Sequence, residues 1–203
     1  MSITIAGIHT GIGKTICSAV ICQALGYDYF KPVQAGDLEN SDSIFIKKNV
    51  TNPSCTIHAE AYQLNTPASP HFAAAQDGII IKKENIILPV SKNNIVAETA
   101  GGIMSPLSKR FLNIDLVQHF NLPVILVANN YLGSINHTVL TVTALQQRNI
   151  SIKGLVFCGE AVESTRQYIL EYTQLPLLFS IPFFQNINSR SIAHCAKTVS
   201  INL

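Results

Sequence analysis

The chain has 203 residues, of which 47 % are apolar and 13 % are charged, so it can bury a core and is not a disordered protein. Its length suits one α/β domain over residues 1–203. The formal net charge is only +2, and no run of Lys or Arg exceeds two residues, which argues against a nucleic-acid-binding groove.

The sequence contains no segment typical of a membrane span or a secretory signal. The longest apolar stretches, such as residues 122–128, are far shorter than the ~20 residues that a span requires. The first apolar run ends at Gly7 with no basic residues before it, which predicts a cytoplasmic protein. The five cysteines are odd in number and form no Cys-x-x-Cys pair, so we expect reduced thiols rather than zinc ligands or disulfides.

Short apolar runs typical of strands alternate with helical patterns along the chain. In chain order, strands are predicted at 3–8, 29–31, 94–97, 122–129, 152–158 and 175–181, and helices at 14–25, 135–147 and 163–174. This alternation predicts a mostly parallel central sheet with helices on both faces. Functional groups should then lie at the carboxyl ends of the strands. Residues 53–88 give no clear pattern.

A glycine-rich segment, Gly-Ile-His-Thr-Gly-Ile-Gly-Lys-Thr, lies between the first predicted strand and the first predicted helix. The backbone N–H groups of such a loop, together with the helix N-terminus, bind phosphate oxygens. Lys14 would contact the β and γ phosphates, and the Thr15 hydroxyl would bind Mg²⁺. Five residues rather than four separate Gly7 from Gly13, so the loop is a variant of the usual spacing, and the alternative is an ordinary glycine-rich turn.

A lysine and two acids follow at the predicted sheet edge. Lys31 ends the second strand, and the proline after it keeps the chain extended, so the lysine can point toward the glycine-rich loop. Asp42 and Glu98 are expected beyond strand ends, where their carboxylates and the Thr15 hydroxyl would complete a Mg²⁺ site. Taken singly, each could instead be a solvated lysine, a helix cap or a loop charge.

The order of these motifs resembles that of the dethiobiotin synthetase family, and the resemblance runs nearly end to end. Besides the glycine-rich loop and the Lys-Pro-Val that starts at Lys31, the matching blocks lie at 40–42, 66–71, 98–102, 105–108, 122–127, 132–137, 181–182 and the terminal Ile-Asn-Leu at 201–203. The resemblance implies a P-loop NTPase-like fold and a homodimer. It also implies an ATP- and Mg²⁺-dependent enzyme of biotin biosynthesis that acts on 7,8-diaminopelargonic acid and CO₂ or bicarbonate.

The resemblance also implies roles for individual residues. Lys14 and Lys31 would be catalytic and flank the γ-phosphate, while Thr15, Asp42 and Glu98 would bind the metal. Nucleotide contacts are implied for Gly11, Ile12, Gly13, Lys14, Thr15, Ile16, Asp42, Glu98, Thr99, Ala100, Gly101, Cys158, Gly159, Pro182, Phe183 and Phe184. Contacts to the diamine substrate are implied for Lys31, Ala35, Gly101, Gly102, Leu132, Ser134 and Asn136, with the segment 132–136 reaching the substrate carboxylate of the neighbouring subunit.

The chain departs from the family pattern at several positions that would touch the ligands. The differences are His9 and Gly11 in place of Asp and Glu, Ala35 in place of Ser or Thr, Thr99 in place of Gly, and Cys158-Gly159 in place of an Asn-Asp pair associated with adenine. Compared with the family pattern, the chain also lacks residues after Leu25 and around 89–93, where a full helix would not fit.

Two other functions remain open from the motifs. A P-loop switch ATPase of the partitioning or nitrogenase iron-protein type would share the fold, but it would carry a second lysine at the position of His9. A P-loop protein that binds nucleotide without turnover is favoured only by the departures above. Amide-forming relatives with a glutaminase domain are excluded by the length of 203 residues.

Overall fold

A sheet of seven parallel strands forms the centre of the computed structural model, which describes residues 1–199. From one edge to the other its strands are β11 (Leu177–Ile181), β10 (Ile152–Cys158), β9 (Val124–Asn129), β1 (Ile3–Gly7), β6 (Ile95–Glu98), β2 (Asp28–Phe30) and β4 (Ile57–His58). Every neighbouring pair is parallel. The predicted mostly parallel α/β fold is confirmed, whereas the block at 201–203 lies outside the described residues.

Helices cover both faces of this sheet. They are α1 (Lys14–Leu25), α2 (Asp42–Asn49), α3 (Pro70–Gln76), α4 (Asn113–Phe120), α5 (Ser134–Gln147), α6 (Glu163–Thr173) and α7 (Ser189–Ala196). On β6 the side chains alternate between the two faces, as the twofold period of a strand requires. Val96 packs in the apolar cluster that contains α1, whereas Ile95 and Ala97 pack in a second cluster with α3 and α4. None of the helices within residues 1–199 combines the length and apolar character needed to span a bilayer.

Two small sheets account for segments that the sequence left unassigned. β3 (Val33–Ala35) pairs in parallel with β5 (Tyr62–Leu64), and β7 (Pro106–Ser108) pairs in antiparallel with β8 (Phe111–Leu112). The region 53–88 therefore supplies β4, β5 and α3. Strands of two or three residues are too short to show a hydrophobic period, which is why the sequence did not reveal them.

The predicted elements have the correct type and differ from the observed ones at their ends. α1 and β10 have the predicted bounds, and the other two predicted helices differ by one residue at one end. The strands predicted from 122 and 175 begin later, after Pro123 and Pro176, because proline has no N–H to donate to a ladder. The strand predicted at 3–8 ends at Gly7, where the glycine-rich loop begins.

Three corrections concern the expected site. β2 ends at Phe30, so Lys31 follows the strand instead of ending it. β6 extends to Glu98, which is the last strand residue rather than a loop residue beyond it. Asp42 is the first residue of α2, behind Ser41, whose hydroxyl accepts a hydrogen bond from the N–H of Ile44. Residues 89–93 contain no helix, as predicted.

Candidate functional site

The loop between β1 and α1 lies at the carboxyl end of the central strand. Gly13 is the last residue before α1, and two constraints require glycine there: its φ is +97°, and a Cβ would lie 2.8 Å from the Cβ of Cys158. Because α1 begins at Lys14, its first N–H groups have no partner within the helix and can receive an anion. The segment therefore has the features of a phosphate-binding loop.

Four side chains from separate segments meet beside this loop. The hydroxyl of Thr15 lies 2.7 Å from Oδ1 of Asp42 and 2.9 Å from Oε1 of Glu98, and it can donate its single proton to either. Nζ of Lys31 lies 2.5 Å from Oδ2 of Asp42 and 3.1 Å from Oε1 of Glu98. The structure thus brings together four residues that the sequence singled out and that lie in or next to four different elements, α1, β2, α2 and β6.

The charges of this cluster stabilise one another. Burial opposes the charge of Lys31, which is 4 % exposed, but the nearby Glu98 and Asp42 carboxylates outweigh burial and raise its pKa. Burial likewise opposes the charge of Asp42, but the ammonium of Lys31 and the hydrogen bond from Thr15 outweigh it and lower the pKa of Asp42. Lys31 and Asp42 therefore form a charged pair throughout the physiological pH range.

Lys14 is in a different electrostatic situation. Lys14 is 6 % exposed, and its ammonium donates a hydrogen bond of 3.1 Å to the carbonyl of His9. Burial and the positive charge of Lys31 lower the pKa of Lys14 to about 8. A buried cation with so few anionic partners is suited to receive the negative charge of a phosphate.

The oxygen donors of this cluster fit a magnesium ion. A hydroxyl and two carboxylates are hard ligands, and Mg²⁺ is usually bound by one or two carboxylates, with phosphates and waters completing its shell. Within residues 1–199, no group of three or more His, Cys, Asp or Glu side chains forms a metal centre made by the protein alone. The donor set therefore suits a cation that arrives with phosphates, held by Thr15, Asp42 and Glu98.

A cleft of about 490 Å³ opens next to the charged cluster. Lys31 and Asp42 form its charged end, and uncharged residues form its walls: Thr10, Val33, Gln34, Ala35, Pro67, Ala68, Ser69, Pro70, Ala100, Gly101 and Ser105. Residues 67–70 had no role assigned from the sequence. The only sequence signal for them was the family block at 66–71. Gly36 packs closely on this segment, since a Cβ added to Gly36 would lie 2.3 Å from Cα of Pro67.

The loop after β6 forms the boundary between the cleft and the glycine-rich loop. Gly101 lines the cleft, while Gly102 lines a neighbouring surface groove that contains His9. The buried side chain of Asn113 donates hydrogen bonds to the carbonyls of Ala100 and Gly102, which fixes this loop. Thr99 points back toward β1, because its hydroxyl and its N–H both donate to the carbonyl of Ile5.

The ends of β10 and β11 form a third part of the site. The Cys158 thiol is buried, lies 3.8 Å from the carbonyl of Gly13, and has a pKa raised to about 12 by burial, so it is neutral and faces the glycine-rich loop. Gly159 donates its N–H to the carbonyl of Ile181. Phe183 is 65 % exposed, whereas Phe184 packs partly against the main core. Phe183 is the aromatic ring in this segment that is free to stack on a ligand.

The chain matches a protein family described as an AAA domain over residues 1–191. It is 44 % identical over 186 residues to the ATP-dependent dethiobiotin synthetase BioD of Christiangramia forsetii, covering 90 % of this chain and 89 % of that protein. It is 40 % identical over 193 residues to the protein of that name from Chlamydia pneumoniae, covering 95 % and 86 %. The chain belongs to the dethiobiotin synthetase family. It is therefore an ATP-dependent ligase, and the resemblance stated from the sequence is confirmed.

Solved structures of other proteins share the fold of this dethiobiotin synthetase family member. A ParA family ATPase from Chlorobium tepidum superposes with a TM-score of 0.61 at 12 % identity, covering 97 % of both chains. The cell division ATPase MinD of Pyrococcus furiosus superposes with a TM-score of 0.56 at 12 % identity, also covering 97 % of both chains. At such low identity these likenesses show the P-loop ATPase fold alone.

The turn before α5 lies apart from the cleft in this dethiobiotin synthetase family member. Leu132 is fully exposed, and Ser134 is buried in the first turn of α5. Neither of them, nor Asn136, is among the described residues that line the cleft. Within a single chain the segment 132–136 therefore does not form part of the cleft wall.

Proposed function

We propose that the protein closes the ureido ring of dethiobiotin on 7,8-diaminopelargonic acid, with CO₂ and ATP as co-substrates and Mg²⁺ as cofactor. The observation that supports this proposal most is the convergence of Thr15, Lys31, Asp42 and Glu98 between the glycine-rich loop and the cleft of about 490 Å³. These groups would bind phosphate and its metal ion at one end of a cleft that is large enough for a small organic substrate.

Ring closure requires three bond-forming steps. One substrate amine attacks CO₂ and loses a proton, which gives a carbamate. A carbamate oxygen attacks the γ-phosphorus of ATP while the bond to ADP breaks, which gives a carbamic-phosphoric anhydride. The second amine then attacks the carbonyl carbon and loses a proton, and inorganic phosphate leaves. Most of this chemistry lies in the substrates, so the protein has to position them and to stabilise the charge that develops on the phosphoryl group.

The charged cluster supplies that stabilisation. Lys14 and Lys31 would contact oxygens of the γ-phosphate, and the backbone of residues 11–16 would bind the other phosphates. Thr15, Asp42 and Glu98 would hold Mg²⁺, which neutralises phosphate charge when bound. Gly101 and Ala35 would line the diamine, since both lie on the cleft wall beside Lys31.

A second copy of the chain would complete the substrate site. The segment 132–136 does not line the cleft of its own chain, so in a homodimer it would reach the carboxylate of the substrate bound by the neighbour. Apolar side chains are exposed near α5: Leu132 lies just before the helix, and Met104 and Leu140 line one surface groove. Burying such residues is a usual reason for two copies to associate.

A direct test is whether ATP cleavage depends on the diamine. With bicarbonate, Mg²⁺ and ATP present, we expect ADP release only after 7,8-diaminopelargonic acid is added. A switch ATPase would instead release ADP slowly whether or not the diamine is there. Rapid ADP release that ignores the diamine would contradict the proposal and favour that alternative.

ATP affinity is expected to fall as the pH rises above about 8. The pKa of Lys14 is about 8 in the free protein, and bound phosphate would raise it, so the protonated form binds ATP more tightly. Affinity is therefore full below pH 8 and declines about tenfold per pH unit above it, until the pKa of the complex is reached. Calorimetric titration with a non-hydrolysable ATP analogue between pH 7 and 9.5 measures this. A flat profile would show that Lys14 stays charged in the free protein.

Nucleotide choice is expected to be loose. An Asn side chain can read adenine with a donor and an acceptor, whereas the Cys158 thiol faces the glycine-rich loop and Gly159 has no side chain. Stacking on Phe183 would accept any base, because every base has a π-face. We expect ATP to exceed GTP and CTP in kcat/KM by less than ~100-fold, since each lost neutral hydrogen bond is worth ~1–1.5 kcal/mol. A preference above ~10³ would show that backbone groups read adenine.

A further inference from the structure

Both oxygens of the Glu98 carboxylate have hydrogen-bond partners, and only Oε1 faces the proposed phosphate site. Glu98 is 1 % exposed. Its Oε1 lies near Thr15 and Lys31, as described above. Its Oε2 accepts hydrogen bonds from the hydroxyl of Tyr29 at 3.0 Å and from the hydroxyl of Ser18 at 2.8 Å. Tyr29 and Ser18 are fully buried, and the sequence had assigned a role to neither.

The fold places both hydroxyls beneath Glu98. In the register of β2 with β6, Tyr29 is opposite Val96, so its side chain points to the same face of the sheet as those of Val96 and Glu98. A diagonal neighbour at this spacing is within reach of an aromatic side chain. Ser18 lies one helical turn after Lys14 on α1, which packs on that face.

These contacts determine where Oε1 lies. The terminal torsion of a glutamate side chain is broad, so a free carboxylate samples many orientations. Two donors on Oε2 fix the plane of the carboxylate and thereby the position of Oε1. Tyr29 can only donate here, because burial and the negative charge of Glu98 raise its pKa and keep it protonated. The Ser18 hydroxyl also lies 3.0 Å from the carbonyl of Lys14, and we expect the shorter, charge-assisted bond to be preferred.

We propose that Tyr29, assisted by Ser18, is a positioning residue that holds Glu98 with Oε1 toward the magnesium ion. This inference rests on the proposed function, in which Glu98 binds the metal. The two hydroxyls touch neither the metal nor the substrates, and they act only through the carboxylate. Partners of this kind are worth roughly 10–100-fold in metal affinity in other proteins.

The test measures metal binding directly as well as activity. Mn²⁺ serves as the probe, and its free concentration is read by electron paramagnetic resonance in the presence of the full chain and a non-hydrolysable ATP analogue. Tyr29→Phe and Ser18→Ala are compared with Tyr27→Phe, which removes a hydroxyl from a buried aromatic residue two positions earlier. The Mg²⁺ concentration for half-maximal turnover is measured for the same variants, and a thermal unfolding scan checks that each is folded.

We expect Tyr29→Phe to weaken Mn²⁺ binding about tenfold or more, Ser18→Ala to weaken it by a smaller factor, and Tyr27→Phe to leave it unchanged. In the Glu98→Gln background, Tyr29→Phe should have much less effect, because both changes act on one carboxylate. If Tyr29→Phe and Ser18→Ala bind Mn²⁺ within about twofold of the unaltered protein while Glu98→Gln does not, the positioning role is wrong and the metal assignment stands. If Glu98→Gln itself binds Mn²⁺ normally, the metal assignment fails and the positioning role fails with it.

Discussion

Replacing Lys31 with alanine is expected to reduce turnover by at least ~10²-fold, the usual scale for losing one preorganised electrostatic partner of the reacting group. Lys31 is the cation of the cluster; it lines the cleft and contacts both carboxylates proposed to bind the metal. Its loss removes a cation from the developing charge of the phosphoryl group. Steady-state kinetics with saturating diamine separates this loss in kcat from a change in KM.

The same substitution is expected to destabilise the fold. Without Lys31, the buried carboxylate of Glu98 loses its cation, although Thr15, Ser18 and Tyr29 still donate to it. Removing one partner of a buried ion pair costs about 3–5 kcal/mol, and we expect a value near the lower limit because these donors remain. Urea unfolding measures it. Lys47→Ala, on the exposed side of α2, is the matched control and should change neither quantity. Near-normal turnover of Lys31→Ala would show that its assigned role is wrong.

The second large effect is expected on metal dependence. Glu98→Gln and Asp42→Asn each remove a charged oxygen that is suited to Mg²⁺, so each should raise the Mg²⁺ concentration for half-maximal activity by at least ~10-fold. Both acids contact Thr15 and Lys31, but Glu98→Gln should have the greater effect, because the side chain of Glu98 is 1 % exposed and that of Asp42 is 30 % exposed.

The metal prediction is checked by titrating activity with free Mg²⁺ at constant ATP. Glu39→Gln is the control, since Glu39 is an exposed acid three residues before Asp42 and outside the cluster. An unchanged Mg²⁺ dependence in both Glu98→Gln and Asp42→Asn would assign these acids a structural role, Asp42 as a helix-start residue and Glu98 as the partner of Lys31.

The elements that the sequence predicted well have strong local signals at both ends. α1 follows a glycine-rich loop and stops at Gly26, which adopts the left-handed conformation that commonly terminates a helix. The central strands are apolar on both faces, as buried parallel strands are. The cluster of Thr15, Lys31 and Glu98 could be predicted from the topology. Thr15 lies in the first turn of α1, Lys31 follows β2 and Glu98 ends β6, and these positions share one edge of a parallel sheet.

What the sequence could not predict depends on contacts between distant segments. The sequence did not reveal that Asp42 begins a helix, because α2 is short and has little hydrophobic pattern. Asp28 shows the same limitation: it is buried at the start of β2 and receives hydrogen bonds from Ser91, Asn93 and the N–H of Thr56. These bonds tie down the segment 89–93 where no helix is present. Tyr29 looked like an ordinary strand residue, because nothing local shows that its hydroxyl meets Glu98.

The most direct measurement of the central claim follows the carbon of bicarbonate into product. The protein is incubated with Mg²⁺, ATP, 7,8-diaminopelargonic acid and ¹³C-bicarbonate, and the products are analysed by mass spectrometry. We expect a cyclic urea that is one mass unit heavier than the unlabelled product, formed with one ADP and one phosphate for each ring. ATP cleavage without incorporation of the label into a cyclic urea would contradict it.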